Sequence, residues 1–157
     1  MSLVVEYQQA RREEDVARLR RALALRALIA TGSSQRDIAD ALGVSQPAVS
    51  QQLKAARTVT EVDPERLLAA AAPVLVDVAG SRGFDRLAVF GSVARHQARA
   101  DSDIDLLVEA PVGVGIKELV ALREVFEEIL GRSVDLVTYG GLKPAIDDDI
   151  RAEAVLL

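Results

Sequence analysis

The sequence has no cysteine, no tryptophan and one methionine, and only five of its 157 residues are phenylalanine or tyrosine. Without cysteine, disulfides, thiolate metal sites and a cysteine nucleophile are excluded. With so few aromatics, any core has to be filled by Leu, Val, Ile and Ala, which the 50% apolar content can supply. Long hydrophobic runs are missing as well: residues 67–76 are interrupted by Pro73 and stop at Asp77, far short of a membrane span, so no membrane association is expected. The first residues, Met1-Ser2-Leu3-Val4-Val5-Glu6, lack a basic stretch followed by an apolar one, so no export signal is visible and the expected location is cytoplasmic.

The net charge of −5 is unevenly spread. Residues 1–60 carry nine Lys and Arg against six Asp and Glu, a net of +3, whereas residues 61–157 carry ten against eighteen, a net of −8. A mildly basic head on an acidic body suggests two units, 1–60 and 61–157, the first suited to nucleic acid.

Residues 3–30 contain neither Gly nor Pro, and Val16, Leu19, Leu23 and Ala27 recur at three- and four-residue steps. That pattern predicts one long helix with an apolar stripe, ended by Thr31-Gly32. Arg11, Arg12, Arg18 and Arg20 fall largely off the stripe and read as a solvated face. Ser34 with Asp37 forms a capping-box pattern ahead of Ile38, Ala39 and Leu42, which should face a core. Gly43 permits a tight left-handed turn, Ser45 caps a second helix, and Pro47 is tolerated in its first turn. Val49 and Leu53 then bury the inner face. The stretch resembles the helix-turn-helix of phage-repressor-like and sigma-like regulators. The resemblance implies double-stranded DNA as partner, with Ser45, Gln46, Ser50, Gln51 and Lys54 on the outward face of the second helix. Glutamine can bridge N6 and N7 of adenine, and Lys54 suits a phosphate. A single such motif makes few base contacts, so a homodimer is expected, with the first helix as interface.

Residues 58–62 read as a β-branched linker, after which Asp63-Pro64 opens a helix that bends at Pro73. Strands are expected at 86–90, 104–109 and 134–138. A patterned helix runs from Ile116 to Leu130, and residues 146–156 are expected to close the chain as a helix.

The stretch with most chemistry runs from Gly91 to Asp105. Asp103 and Asp105, at i and i+2 of a strand, point to one face, while Ile104 and Leu106 face the core. Two carboxylates side by side repel and favour a hard divalent cation between them, Mg²⁺ or Mn²⁺. Upstream, the Gly91-Ser92 turn can offer backbone N–H groups and a hydroxyl to an anion. Gly91-Ser92, ten residues, then Asp103-x-Asp105 resembles the signature of minimal nucleotidyltransferases of the DNA polymerase β-like superfamily. The likeness extends through Ala94-Arg95 and on to Asp135 within Val134-Asp135-Leu136-Val137. It implies an α+β chain: an N-terminal all-helical helix-turn-helix domain, then a small polymerase β-like domain with a mixed sheet and helices on one face. It also implies metal ligation and catalysis by Asp103, Asp105 and Asp135, and nucleotide binding by Gly91, Ser92 and Arg95, with ATP or another NTP as substrate. One departure stands out: His96 occupies a position where relatives usually carry glycine.

The expected function is therefore metal-dependent transfer of a nucleoside monophosphate, AMP from ATP, by an enzyme with a DNA-binding head. Similar domains act as antitoxins on HEPN-type toxins, which implies a protein acceptor; an aminoglycoside-like small molecule is the other acceptor class. The alternative is a transcriptional regulator whose nucleotidyltransferase-like domain binds nucleotide without turnover.

Overall fold

Nothing in the first thirty residues breaks a helix, and in the computed structural model, which describes residues 2–157, α1 (Leu3–Ala30) is continuous. Ser2 caps it, the side chain accepting from the Val4 N–H. Only its last third is covered. Residues 2–18 are exposed throughout, Val16 of the expected stripe included, while Leu23, Leu25 and Ala27 are buried. These three serve two cores: Leu25 joins Ile38, Ala39, Val49 and Leu53, and Leu23 and Ala27 join the main one.

Helices α2 (Gln35–Leu42) and α3 (Gln46–Ala55) form the expected helix-turn-helix. The reciprocal Ser34–Asp37 capping box is made, Gly43 takes a φ of 68°, and Ser45 accepts from the Ala48 N–H. Leu42 departs from expectation: it is 55% exposed, since the small core here is closed by Ile38, Ala39 and Val49 from one side and Leu25 from the other.

The β-branched stretch expected as a linker is a 3₁₀ helix over Ala56–Glu61, and Val59 is buried in the main core. Arg26 of α1 donates to the carbonyls of Ala56, Glu128 and Ile129, so the head and the body share both apolar and polar contacts. Asp63 caps α4 (Pro64–Ser81), which continues through Pro73. Proline deprives the Ala69 carbonyl of its helical partner; Ala69 and Pro73 are both exposed, where water can serve instead.

Four strands, β1 (Asp85–Phe90), β2 (Ile104–Glu109), β3 (Val134–Thr138) and β4 (Val155–Leu156), form a sheet in the order β3-β2-β1-β4. Strand β1 is antiparallel to β2, which is parallel to β3 through the crossover helix α6 (Ile116–Leu130). A single turn, α5 (Gly91–Ala94), follows β1. On one face Val89, Ile104, Leu106 and Val108 pack under α1, α4 and α6; on the other, Ala88, Phe90 and Leu107 pack with Leu142. The C-terminal expectation is corrected. Residues 146–156 are not one helix but α7 (Asp148–Glu153) followed by β4 (Val155–Leu156), antiparallel to β1. The free edge of β1 offers unpaired backbone groups that a short extended tail satisfies. This arm lies with the second face, so the sheet is not covered on one side alone. Among the described residues no helix is long and apolar enough to cross a membrane.

Candidate active site

The end of β1 delivers the chain into a turn that only glycine fits. Gly91 has a φ of +72°, and a Cβ there would overlap Oδ2 of Asp105. Close approach between the turn and that carboxylate is thus built into the backbone. Register sets the rest. Asp105 lies opposite Phe90, the residue before the turn, and on its other side opposite Asp135 of the parallel neighbour. Asp103 sits two residues before Asp105, just ahead of β2, and shares its parity.

The carboxylates feel one another. Asp105 is half-buried, and desolvation first, then repulsion from Asp135 and Asp103, pushes its carboxyl above the usual range; Arg95 partly opposes this. Asp103 and Asp135 are exposed. As the side chains stand, no three acidic or histidine groups among the described residues are gathered into a ready metal cage. The donor set nevertheless suits a hard cation: carboxylate oxygens from adjoining strand ends, one held in a charge state that a cation would relieve.

Glu153, at the end of α7, was not foreseen from sequence. Its Oε1 accepts from the Gly91 N–H at 2.9 Å and its Oε2 from Arg95 Nη1 at 2.8 Å. The Gly91 hydrogen bond and then the Arg95 hydrogen bond hold its carboxyl below the usual range. Arg132 was missed too. Its guanidinium donates to the carbonyls of Ala100 and Ser102, just ahead of Asp103, and to those of Thr60 and Val62 in the segment leading from the head. Neither residue carries a local signal, because their partners lie tens of residues away.

Ser92 is half-buried beside the turn. His96 has a φ of +57°, so this position demands the left-handed backbone that glycine takes freely. Its ring is 84% exposed, with Nδ1 3.2 Å from Glu65. In the head, Ser45, Gln46, Gln51 and Lys54 are exposed and Ser50 is half-buried, while the Gln46 amide donates to Gln35 at 2.8 Å.

Comparison with known proteins agrees with this architecture. A family model described as a nucleotidyltransferase domain matches residues 81–157, and one described as a homeodomain-like domain matches residues 15–62. A Methanocaldococcus jannaschii protein named as a protein adenylyltransferase is 40% identical over 81 residues, 52% of this chain and 87% of that protein. Protein adenylyltransferase MntA of Thermococcus cleftensis is 37% identical over 73 residues, 46% of this chain and 74% of that protein. The solved structure of a minimal nucleotidyltransferase superposes with a TM-score of 0.56 at 36% identity, covering 61% of this chain and 97% of that one. The turn, the strand carboxylates and these likenesses converge: the chain belongs to the nucleotidyltransferase-domain family and is a nucleotidyltransferase with an N-terminal helix-turn-helix.

Proposed function

We propose that this enzyme transfers AMP from ATP to a protein side chain, and that its head, residues 1–60, binds double-stranded DNA while residues 61–157 carry the chemistry. The observation that carries the reading is the register that sets Asp105 beside both the Gly91 turn and Asp135. Asp103, Asp105 and Asp135 would hold the divalent metal, Mg²⁺ or Mn²⁺, which when bound polarises phosphate oxygens and offsets charge on the leaving group. The chain's own residues do the rest. The Gly91 N–H and the Ser92 hydroxyl would fix phosphate oxygens, and Arg95 would neutralise pyrophosphate. Asp135, the more exposed of the strand pair, would take the proton of an acceptor hydroxyl as its oxygen attacks the α-phosphorus and the bond to pyrophosphate breaks.

A HEPN-type toxin fits as acceptor and partner, by the resemblance to antitoxin-like domains and the names of the relatives. The exposed outer half of α1, with Leu3, Val4, Val5, Tyr7 and Val16 open to solvent, supports a homodimer through that helix. A dimer would present two copies of α3, with Ser45, Gln46, Ser50, Gln51 and Lys54, to successive half-sites of an operator. Charge and composition fit a cytoplasmic protein.

The test is incubation with labelled ATP, Mg²⁺ and the protein encoded next to it, with Asp103→Ala as control. A labelled partner that disappears with the variant supports transfer. A second reading, a regulator that binds nucleotide without turnover, draws on the Glu153 carboxylate lying on the turn's donors. Binding that needs Asp103 but yields no product would select it.

A further inference from the structure

The donors at the turn are already engaged. A single carboxylate spans the Gly91 N–H and the Arg95 guanidinium, at 2.9 and 2.8 Å. Carboxylate and phosphate oxygens accept from the same donors, and both carry negative charge. The single Gly91 N–H cannot serve both, and at Arg95 the two anions would crowd one guanidinium next to Asp105, whose own charge Glu153 already disfavours. We propose that Glu153 is a built-in competitor of the substrate's phosphates, so that the C-terminal arm of α7 and β4 lifts from the turn before a nucleoside triphosphate seats. The inference rests on reading Gly91, Ser92 and Arg95 as the phosphate-binding turn.

The arm is built to move. Helix α7 has six residues and β4 two. Val155 and Leu156 are 55% and 65% exposed, and the arm's apolar anchors are only partly buried, Ile150 and Ala154 against the Phe90 and Leu142 cluster and Leu157 against the main core. Besides the β4 pairing, few polar contacts hold it, among them Leu157 N–H to the Leu87 carbonyl and Arg151 to the Tyr139 carbonyl. A short, exposed edge with few apolar contacts is the kind of segment that opens locally at small cost. Arm opening would then regulate entry, and any partner that captures the arm would raise nucleotide affinity.

A carboxylate that merely orients Arg95 would act with the opposite sign, and this makes the test decisive. Titration calorimetry of the full chain with a non-hydrolysable ATP analogue and Mg²⁺ compares wild type, Glu153→Gln and Glu153→Ala, each measured with and without Asp103→Asn. If the arm is open about a tenth of the time, both Glu153 variants bind about tenfold tighter than wild type. The analogue should also speed hydrogen exchange of wild-type amides at 155–157. Weaker binding by Glu153→Ala makes the residue a positioning group and overturns the competitor. Equal binding that still needs Asp103 also overturns it, while leaving the nucleotide site standing. Absence of binding in every version removes the site itself and the competitor with it.

Discussion

The two faces of the sheet are covered very differently. One lies under three helices, α1, α4 and α6, and its core runs without a break from Leu23 in the head to Leu136 in β3. The other is closed by Leu142, a 3₁₀ turn over Tyr139–Gly141 and a six-residue helix. Asp103, Asp105 and Glu153 all belong to the thin face. Chemistry needs a face that solvent, metal and substrate can reach, and a face roofed by α4 and α6 with α1 laid over them would deny all three. Fold stability therefore resides on one side of β2 and the proposed chemistry on the other, although the two sides share every backbone hydrogen bond of that strand.

The sharpest way to break this comparison is to cut matched holes in both faces. Phe126 of α6 is fully buried on the thick side, and Phe126→Ala should cost about 4 kcal/mol, from lost burial and the cavity left behind. Leu142 is 7% exposed in the small cluster, where the loose arm can settle into the space, so Leu142→Ala should cost about 2 kcal/mol. Urea unfolding of the two variants measures the difference. Equal losses would mean that the arm packs as firmly as the helices.

Asp105 sharpens it next. Asp105→Asn should lower transfer activity by roughly 100-fold to 1,000-fold, about 3–4 kcal/mol, because it removes one of the carboxylates proposed to hold the metal. The same change should stabilise the metal-free protein. Asp105 is held above the ordinary carboxylate range in the fold, so its favourable contribution is complete at low pH and fades as pH rises through that raised value. At neutral pH the ionised, partly desolvated and crowded carboxylate is a liability that asparagine lacks. Thermal melts in chelator, repeated from acidic to neutral pH, should show the variant gaining on the wild type as pH rises. A constant offset would mean that burial and repulsion at this position are negligible.

What could be read in advance follows the range of the interactions. The helix-turn-helix was legible because its caps, its glycine turn and its apolar spacing all lie within about twenty residues. Strands β2 and β3 and helix α6 were legible from periodicity alone, and Asp103 and Asp105 from parity along one strand. The C-terminal arm was not. Val155 and Leu156 become a strand only because β1 has a free edge nearly seventy positions earlier, and nothing beside Glu153 points to Gly91 or Arg95, 62 and 58 residues away. Val59 looked like part of a linker because its burial depends on helices contributed from both sides. Leu42 misled in the other direction, being apolar at a helical spacing whose inner face was already filled.

Arg132 gives a smaller effect that ties the faces to the head. Its guanidinium reaches four carbonyls, two ahead of Asp103 and two between the head and α4. Arg132→Ala should cost about 2 kcal/mol, as expected when a charged donor leaves several carbonyls unpaired. It should also raise the Mg²⁺ concentration needed for half-maximal activity, because the loop leading into Asp103 loses its tether. Arg132→Lys should recover less than half of either loss, since an ammonium cannot fork to two pairs of acceptors. A stability loss with an unchanged Mg²⁺ requirement would separate the tether from the site.

The smallest effect is expected at His96, the position where relatives usually carry glycine. A left-handed backbone at a non-glycine residue costs about 1 kcal/mol, so His96→Gly relieves that much strain. Glycine also gives the unfolded chain more freedom, worth about 0.4–1 kcal/mol in the other direction. The lost contact with Glu65 involves an imidazole 84% exposed and contributes at most a few tenths of a kcal/mol. These terms nearly cancel, and the free energy of unfolding should change by less than about 0.5 kcal/mol. Activity should hold as well, because the imidazole faces the first turn of α4 and leaves the donors of the turn untouched. Melting curves and a transfer assay on the single variant check both statements. A large gain in activity would mean that the ring crowds the phosphates during turnover, and that the thin face is narrowed by more than its arm.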